Sequence, residues 1–263
     1  KGDVLKLMTC TACKLVRYCS VACQKHHRPQ HKQACKKRMA ELRDDLLFTF
    51  TQPESSCYGD CPICCLPMPI DTSDFSVMSC CCKSICDGCF YADMPRQLNG
   101  SQKQAVCLYC RHPLPETQAE FDKNKARRAE ANDPAALRAM GHIYYLKGAY
   151  TKASHYWTKS AGLGDAISHF ELSLMFWKGE GVEKDEKKRV FHLEEAAIAG
   201  HPDCRYNLGL IEWNDGNFER AVKHFIIAAT LGQEDSVQIL KEGYEWGIVD
   251  KDDFAAALRA HQA

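Results

Sequence analysis

The sequence predicts two small zinc-stabilised modules followed by an all-α helical-repeat solenoid. Three observations lead to this prediction. Sixteen of the 17 cysteines lie between Cys10 and Cys110, mostly in closely spaced pairs. The second half of the chain repeats itself with a spacing of 32 to 36 residues. No apolar run approaches the roughly 18 residues of a membrane span, and the start of the chain lacks a signal-peptide pattern.

Length and charge narrow the class of protein. The 263 residues suggest about two domains. The 34 basic and 34 acidic side chains cancel, so no global field favours nucleic acid or an anionic membrane. Residues 1–43 are nevertheless basic, with eleven Lys or Arg against two acidic residues. The chain begins with Lys1, from which we expect that an upstream segment is missing. We expect an intracellular protein, cytoplasmic or nuclear.

The cysteine spacing favours zinc over disulfides. Disulfide frameworks belong to secreted chains, and nothing in this sequence directs secretion. In a reducing compartment, repeated C-x-x-C pairs with interleaved histidine are typical of zinc sites. The predicted organisation has five segments. A first cysteine module (1–36) is followed by a linker (37–56), which contains a helix over 37–45. A second cysteine module (57–116), a linker helix (117–131) and helical repeats (132–263) complete the chain.

The first module reads "CTACKLVRYCSVACQKHHRPQHKQAC". Cys19 with Cys23, and His31 with Cys35, are two pairs with i,i+4 spacing. On a helix the two side chains of such a pair lie on the same face. Together with "RYCSVACQ", the string resembles the MYND zinc finger. The resemblance implies one complete zinc site and half of a second; the candidates are Cys10, Cys13, His31 and Cys35, then Cys19 and Cys23. The family's earlier C-x-x-C pair is absent, so we expect the finger to be truncated at its N-terminus.

MYND fingers are mostly modules that bind short proline-containing peptides. The resemblance therefore implies a protein or peptide ligand. The basic residues are interpreted as the solvated exterior of a small finger, and nucleic acid is not the expected partner.

The second module contains C-x-x-C pairs at Cys61 and Cys64, at Cys86 and Cys89 and at Cys107 and Cys110, with a cluster over 80–82. Four pairs separated by longer loops suit two interleaved zinc ions. This pattern resembles a RING finger across about 58–116. The resemblance implies one site of Cys61, Cys64, Cys86 and Cys89, and another of Cys107, Cys110 and two clustered cysteines. We choose Cys80 and Cys81, because similar RINGs follow two adjacent cysteines with Gly; Cys82 and Cys65 are then spare.

The RING resemblance raises the possibility of ubiquitin ligase activity. In such RINGs the domain docks a ubiquitin-conjugating enzyme and orients its thioester-linked ubiquitin. Ile63, Arg111 and Leu114 match the family's contact positions, whereas Leu108 replaces the usual Pro. The alternative is a non-enzymatic scaffold that uses all three parts of the chain for protein binding. No catalytic residue is predicted, because a site with four protein ligands leaves zinc no open position.

The last segment is repetitive. Matched positions are Met140, Leu172, Leu208 and Leu240, and Ala and Gly recur in two further registers at Ala161, Ala197 and Ala229 and at Gly164, Gly200 and Gly232. Gly after an apolar-periodic run ends a helix, so each unit is expected to hold two helices. The pattern resembles Sel-one-like repeats, a branch of the tetratricopeptide superfamily, which usually serve as adaptors.

Four aromatic residues of the repeats, Tyr144, Trp157, Trp177 and Trp213, are candidates for the core between helices, and most of them are predicted to lie there. The histidines are expected to be single structural residues, namely His142, His155, His169, His192 and His224. Cys204 is predicted to be a small packing residue. The complete fold-class prediction is two small zinc-stabilised cross-brace modules, with three to four structural Zn²⁺, followed by an all-α solenoid.

Overall fold

The computed structural model describes residues 8–18, 20–48, 56–99 and 105–261. These residues belong to two compact units, which divide the chain at Thr51 and Gln52. Within the described ranges, no helix combines the length and hydropathy needed to cross a membrane.

The first unit is a short hairpin followed by a long helix. Strand β1 (Met8–Thr9) pairs antiparallel with β2 (Arg17–Tyr18), and helix α1 runs over Val21–Phe48. The helix predicted over 37–45 was therefore too short. The whole stretch of α1 lacks glycine, and its one proline, Pro29, does not end the helix. Residues 49–55 of the predicted linker lie outside the described residues.

The second unit begins with the second cysteine module. Its elements are a 3-10 turn (Thr72–Asp74), strands β3 (Phe75–Val77) and β4 (Ser84–Cys86), and helix α2 (Asp87–Asn99). The two strands pair antiparallel. Only a small apolar core supports them, with Met68, Met78, Ile85 and Leu108 buried beside three cysteines. A core of this size needs additional stabilisation, which bound metal supplies in many small modules.

The rest of the unit is a helical-repeat solenoid, as predicted. Helix α3 (Gln118–Glu130) packs on the first of four antiparallel helix pairs. These are α4 (Pro134–Leu146) with α5 (Tyr150–Ala161), α6 (Ala166–Lys178) with α7 (Glu186–Ile198), α8 (Pro202–Asn214) with α9 (Phe218–Thr230), and α10 (Glu234–Glu245) with α11 (Lys251–His261). We refer to these pairs as repeats 1 to 4. Consecutive pairs also pack on each other, so the four repeats form one stack.

The recurring small residues have the roles that the sequence predicts. Gly164, Gly200 and Gly232 all adopt positive φ, at 89°, 84° and 88°, directly after the second helix of a repeat. The recurring alanines Ala161, Ala197 and Ala229 are buried. A β-carbon at Gly209 would lie 2.6 Å from Cε1 of the buried Phe225, so glycine is needed there for the two helices to approach.

Most of the four aromatic residues contribute to the core, as predicted: Trp157 is 1% exposed, and Tyr144 and Trp213 are partly buried against the core clusters. Trp177 is the exception, at 54% exposure. Trp177 lies at the end of α6, where its ring is covered partly by the guanidinium of Arg189 at 5.5 Å. His169 and His192 each lie singly on a helix, but their Nδ1 atoms lie 2.9 Å apart across repeat 2, a proximity that the sequence did not predict. Cys204 is fully buried, as predicted.

Candidate metal centres

The first candidate centre begins with a tight turn at Cys10. The amide of Cys10 donates to the carbonyl of Val16 at 2.8 Å, and the amide of Lys14 donates back to Cys10 at 3.0 Å. Lys14 adopts φ 57°, the left-handed conformation, which closes the turn. Between these bonds the thiols of Cys10 and Cys13 project to the same side of the hairpin.

A similar turn occurs three times in the second module, with its outer bond reaching five residues ahead where that of Cys10 reaches six. In each of these turns the backbone amide of the first residue donates to the carbonyl five residues ahead. The backbone amide of the fifth residue donates to the carbonyl of the first. The fifth residue has φ between 54° and 60° each time. The first and fifth residues are Cys61 and Cys65, Met78 and Cys82, and Cys107 and Arg111.

The turn at Met78 explains the crowding of cysteines over 80–82. Cys80 and Cys81 occupy its third and fourth positions, and Cys82 is the left-handed fifth residue at φ 54°. This is the position that favours glycine, which agrees with the Gly slot assigned to Cys82 from the sequence. Cys65 is also a fifth residue, at φ 57°. The turn therefore directs the thiols of Cys82 and Cys65 away from those of the preceding pair.

Three four-residue clusters bring potential ligand atoms within 4.8 Å of one another in the described part of the chain. The clusters are Cys10, Cys13, His31 and Cys35; Cys61, Cys64, Cys86 and Cys89; and Cys80, Cys81, Cys107 and Cys110. Every member is a residue that the sequence predicts as a ligand. Of the remaining predicted ligands, Cys23 is exposed on α1 and belongs to none of these clusters, and Cys19 lies outside the described residues.

The distances within the clusters suit zinc and do not suit disulfides. Tetrahedral zinc with Zn–S bonds of about 2.3 Å places two sulfurs about 3.8 Å apart. The Sγ–Sγ distances are 3.9 Å for Cys10 and Cys35 and 3.8 Å for Cys64 and Cys86. In the third cluster the Cys81 and Cys107 sulfurs are also 3.8 Å apart. A disulfide would require about 2.05 Å, so these thiols are arranged around a point between them.

The electrostatics of the clusters favour a bound cation. Backbone amides of Cys13 and Ala12, with the His31 imidazole, lower the pKa of Cys10 to about 6 despite partial burial. Burial raises the pKa of Cys61, but amides of Cys64, Cys86 and Ile63 outweigh it and hold that pKa at about 6. In the same cluster, burial and the neighbouring thiols raise the pKa of Cys89 to about 12. Four thiolates therefore cannot form together unless a cation offsets their repulsion.

The donor sets are those of structural zinc. One histidine with three thiolates, and four thiolates twice, fill all the tetrahedral positions of the ion. When bound, zinc would hold together segments that are distant in the sequence, and no position remains for a water or a substrate. The three clusters are thus consistent with structural zinc binding, and the ligand assignment of each ion stays a prediction.

An open groove of about 230 Å³ lies on the second module, lined by Ile63, Cys89, Ala92, Asp93, Leu108 and Arg111. Two predicted partner-binding residues, Ile63 and Arg111, thus border the same groove. The third, Leu114, is not among the lining residues and packs against the core of the module. Ala92 and Asp93 were missed from the sequence. They follow Cys89 at i+3 and i+4 on α2, a spacing that places all three on one face.

The comparisons with known proteins agree with part of this organisation. The model of the MYND finger matches residues 1–35. No curated protein matches the chain. Among solved structures, a protective antigen of uropathogenic Escherichia coli with an SLR fold is similar, with TM-score 0.46, 25% identity and coverage of 53% of this chain and 32% of the antigen. A Sel1 repeat protein from Oxalobacter formigenes is similar with TM-score 0.48 and 22% identity, over 57% of this chain and 65% of that protein.

The chain thus spans about a third of the first solved structure and just under two thirds of the second, at 32% and 65%. The finger match together with the helical-repeat stack supports a role in protein interaction. Protein interaction is thus the part of the predicted function that the fold and the finger match support.

Proposed function

We propose that the protein is a zinc-dependent ubiquitin ligase of the RING type, in which the second cysteine module docks a ubiquitin-conjugating enzyme. The observation that carries the proposal is the order of the ligand pairs. Along the chain the pairs begin at Cys61, Cys80, Cys86 and Cys107; the first clusters with the third and the second with the fourth. This interleaving is the cross-brace arrangement of RING fingers.

The groove on this module has the chemistry of a protein-docking site. Ile63 is 45% exposed at its edge and offers apolar surface, while Leu108 forms a floor that is 8% exposed. Arg111 also lines the groove and is exposed. A guanidinium has five donors in a planar fork, so it can bond to carbonyls of two partner proteins at once. Catalysis would consist of orientation, with no covalent step on this chain.

The remaining modules would select the substrate. The finger presents a small basic surface, and the solenoid presents surfaces that extend over four repeats. The RING would hold the conjugating enzyme with its thioester-linked ubiquitin, while other modules of the same chain hold the substrate. This arrangement would raise the local concentration of ubiquitin near the bound substrate.

An autoubiquitination assay with a panel of conjugating enzymes tests the proposal on the full chain. Activity of the unmodified protein, lost in Ile63→Ala and reduced in Arg111→Asn, is the expected result. Asn is chosen because it tolerates the left-handed backbone of Arg111, at φ 60°, so the variant removes only the guanidinium. Leu66→Ala is the matched control, since Leu66 is an exposed apolar residue of the same module outside the groove. Absence of activity with every conjugating enzyme would contradict the proposal.

A non-enzymatic scaffold is the second candidate, and one observation favours it. RING ligases usually have Pro at the position of Leu108, and the side chain here is turned into the core at 8% exposure. A groove with a different floor can bind a partner without activating ubiquitin transfer. Binding of a conjugating enzyme with no discharge of its ubiquitin would identify the scaffold.

A further inference from the structure

The second cysteine module lies against the solenoid, and the first contact is made by Cys82. This thiol is 5% exposed and packs in one apolar cluster with Ala129 of α3 and with Ala136 and Leu137 of α4. Cys65 has the same turn position and nearly the same φ, yet it is exposed. The left-handed backbone at Cys82 disfavours any residue with a β-carbon. The buried contact with the solenoid gives a physical reason for having a thiol at a position that suits glycine.

Cys57 and Tyr58, just before the first ligand pair, are partly buried. Burial raises the pKa of both side chains to about 12, and charges of the solenoid act on them, among them Arg138 of α4 and Asp203 of α8. Tyr58 packs on Phe75 of the module at a ring distance of 5.1 Å, so it belongs to the module core.

The second contact lies at the turn between repeats 3 and 4. Cδ1 of Ile70 approaches the turn between α9 and α10 so closely that a β-carbon on Gly232 would lie 2.8 Å from it. Ile70 remains 44% exposed, so this contact is at the edge of the covered surface. Taken together, the two contacts join α3 and the first turn of α4 to the turn between α9 and α10. The module therefore touches both repeat 1 and the junction of repeats 3 and 4.

We propose that the second cysteine module is a metal-dependent brace that occupies this face of the solenoid. In a repeat protein each unit contacts only its neighbours, so stability is a sum of local terms. A module that touches repeat 1 and the junction of repeats 3 and 4 adds a link between units that do not otherwise meet. Its core is too small to hold it together without metal, so loss of zinc releases the face it covers.

Two consequences follow from the brace. Zinc binding to the module and the stability of the solenoid are thermodynamically linked, and each strengthens the other. The covered face is also unavailable to a substrate in the metal-loaded protein, so substrates bind to other surfaces of the repeats. Neither consequence depends on ligase activity.

Hydrogen–deuterium exchange on the full chain, with and without a zinc chelator, tests the brace. We expect amides of α3, of the first turn of α4 and of the turn between α9 and α10 to exchange about fivefold faster or more after chelation, although none of these segments contains a ligand candidate. The variant Cys35→Ala, which disables the first module, should leave this exchange unchanged. Solenoid exchange that is unaffected by chelation, while that of 57–116 rises, would overturn the proposal.

A pair of matched variants gives a second, independent measurement. Cys82→Asn and Cys65→Asn place the same residue, one that tolerates the left-handed backbone, after equivalent turns. Only Cys82→Asn buries an amide against α3 and α4, so it should accelerate zinc release to a colorimetric chelator by about tenfold. Cys65→Asn should release zinc at the rate of the unmodified chain. Equal rates in the two variants would contradict the brace.

Discussion

The sulfur of Cys64 lies 3.8 Å from that of Cys86, although 22 residues separate them in the sequence. The two sulfurs therefore bring the first turn of the second module next to the start of α2. Between these two points lie the 3-10 turn, both strands and one half of the other four-cysteine cluster. Closing this long loop costs conformational entropy that a small apolar core cannot offset, and ion binding can supply on the order of 10 kcal/mol.

The choice of ligands within the cluster over 80–82 can be tested by single substitutions. Cys81→Ser should reduce the zinc content of the purified chain by about one ion per molecule, because a hydroxyl replaces a thiolate in a closed tetrahedral site. Cys82→Ser should keep full zinc content when zinc is present in excess. Quantification of zinc per chain under reducing conditions measures both. A loss of one ion in Cys82→Ser, with none in Cys81→Ser, would show that the ligand assignment is wrong.

The two tryptophans that the sequence treats alike should differ in their effect on stability. Trp157 is 1% exposed and its Nε1 donates to the carbonyl of Arg138 at 3.2 Å. Trp157→Ala should cost about 3–5 kcal/mol of unfolding free energy, because it leaves a cavity in repeat 1. Trp177→Ala should cost about 0.5 kcal/mol or less, because more than half of that side chain is already in solvent. Chemical denaturation at a constant zinc concentration measures the unfolding free energy of both variants. Similar losses of unfolding free energy in the two variants would contradict the assigned burial of the two side chains.

Buried histidines of the solenoid should make it less stable in acid. Burial lowers the pKa of His201 to about 4, below its usual value of 6.5. The unfolded state therefore binds more protons than the folded state between these two values. Stability is fully present above about pH 6.5 and falls as the pH drops towards 4, by up to about 1 kcal/mol per pH unit for this group.

The variant His201→Asn isolates this effect. His201 is the residue before α8, where Asn is a favourable N-cap and does not titrate. We expect the melting temperature of the variant to fall less steeply between pH 6.5 and pH 4 than that of the unmodified chain. Zinc release in acid affects both proteins, so the difference between the two curves is the relevant quantity. Parallel curves would show that His201 does not contribute.

The sequence predicts the parts of this fold that depend on short-range patterns. Pairs such as Cys61 with Cys64 identify a turn, and the repeated glycines mark the helix ends of the solenoid. In both cases a few neighbouring residues determine the local backbone. The fold class was therefore predictable, and so was every residue in the three ligand clusters of the described chain.

What the sequence does not predict depends on contacts between distant elements. The proximity of His169 and His192 requires the relative rotation of α6 and α7, which no local pattern specifies. The exposure of Trp177 likewise depends on where α6 ends with respect to its neighbours. The length of α1 was underestimated because the predicted helix began at residue 37, although the i,i+4 spacing of His31 and Cys35 already indicated helix before that point.

The contact of Cys82 with α3 and α4 was also outside the reach of local patterns. From the sequence this residue is only a spare thiol in a Gly position. Its role follows from the packing of one module on another, which is decided by the complementarity of two folded surfaces.

Native mass spectrometry of the reduced full chain tests the central claim most directly. The account predicts three to four zinc ions per molecule, lost in steps as the chain is acidified, with no loss of mass from disulfide formation. A chain that is folded but carries no metal, or one whose cysteines are joined to each other, would contradict it.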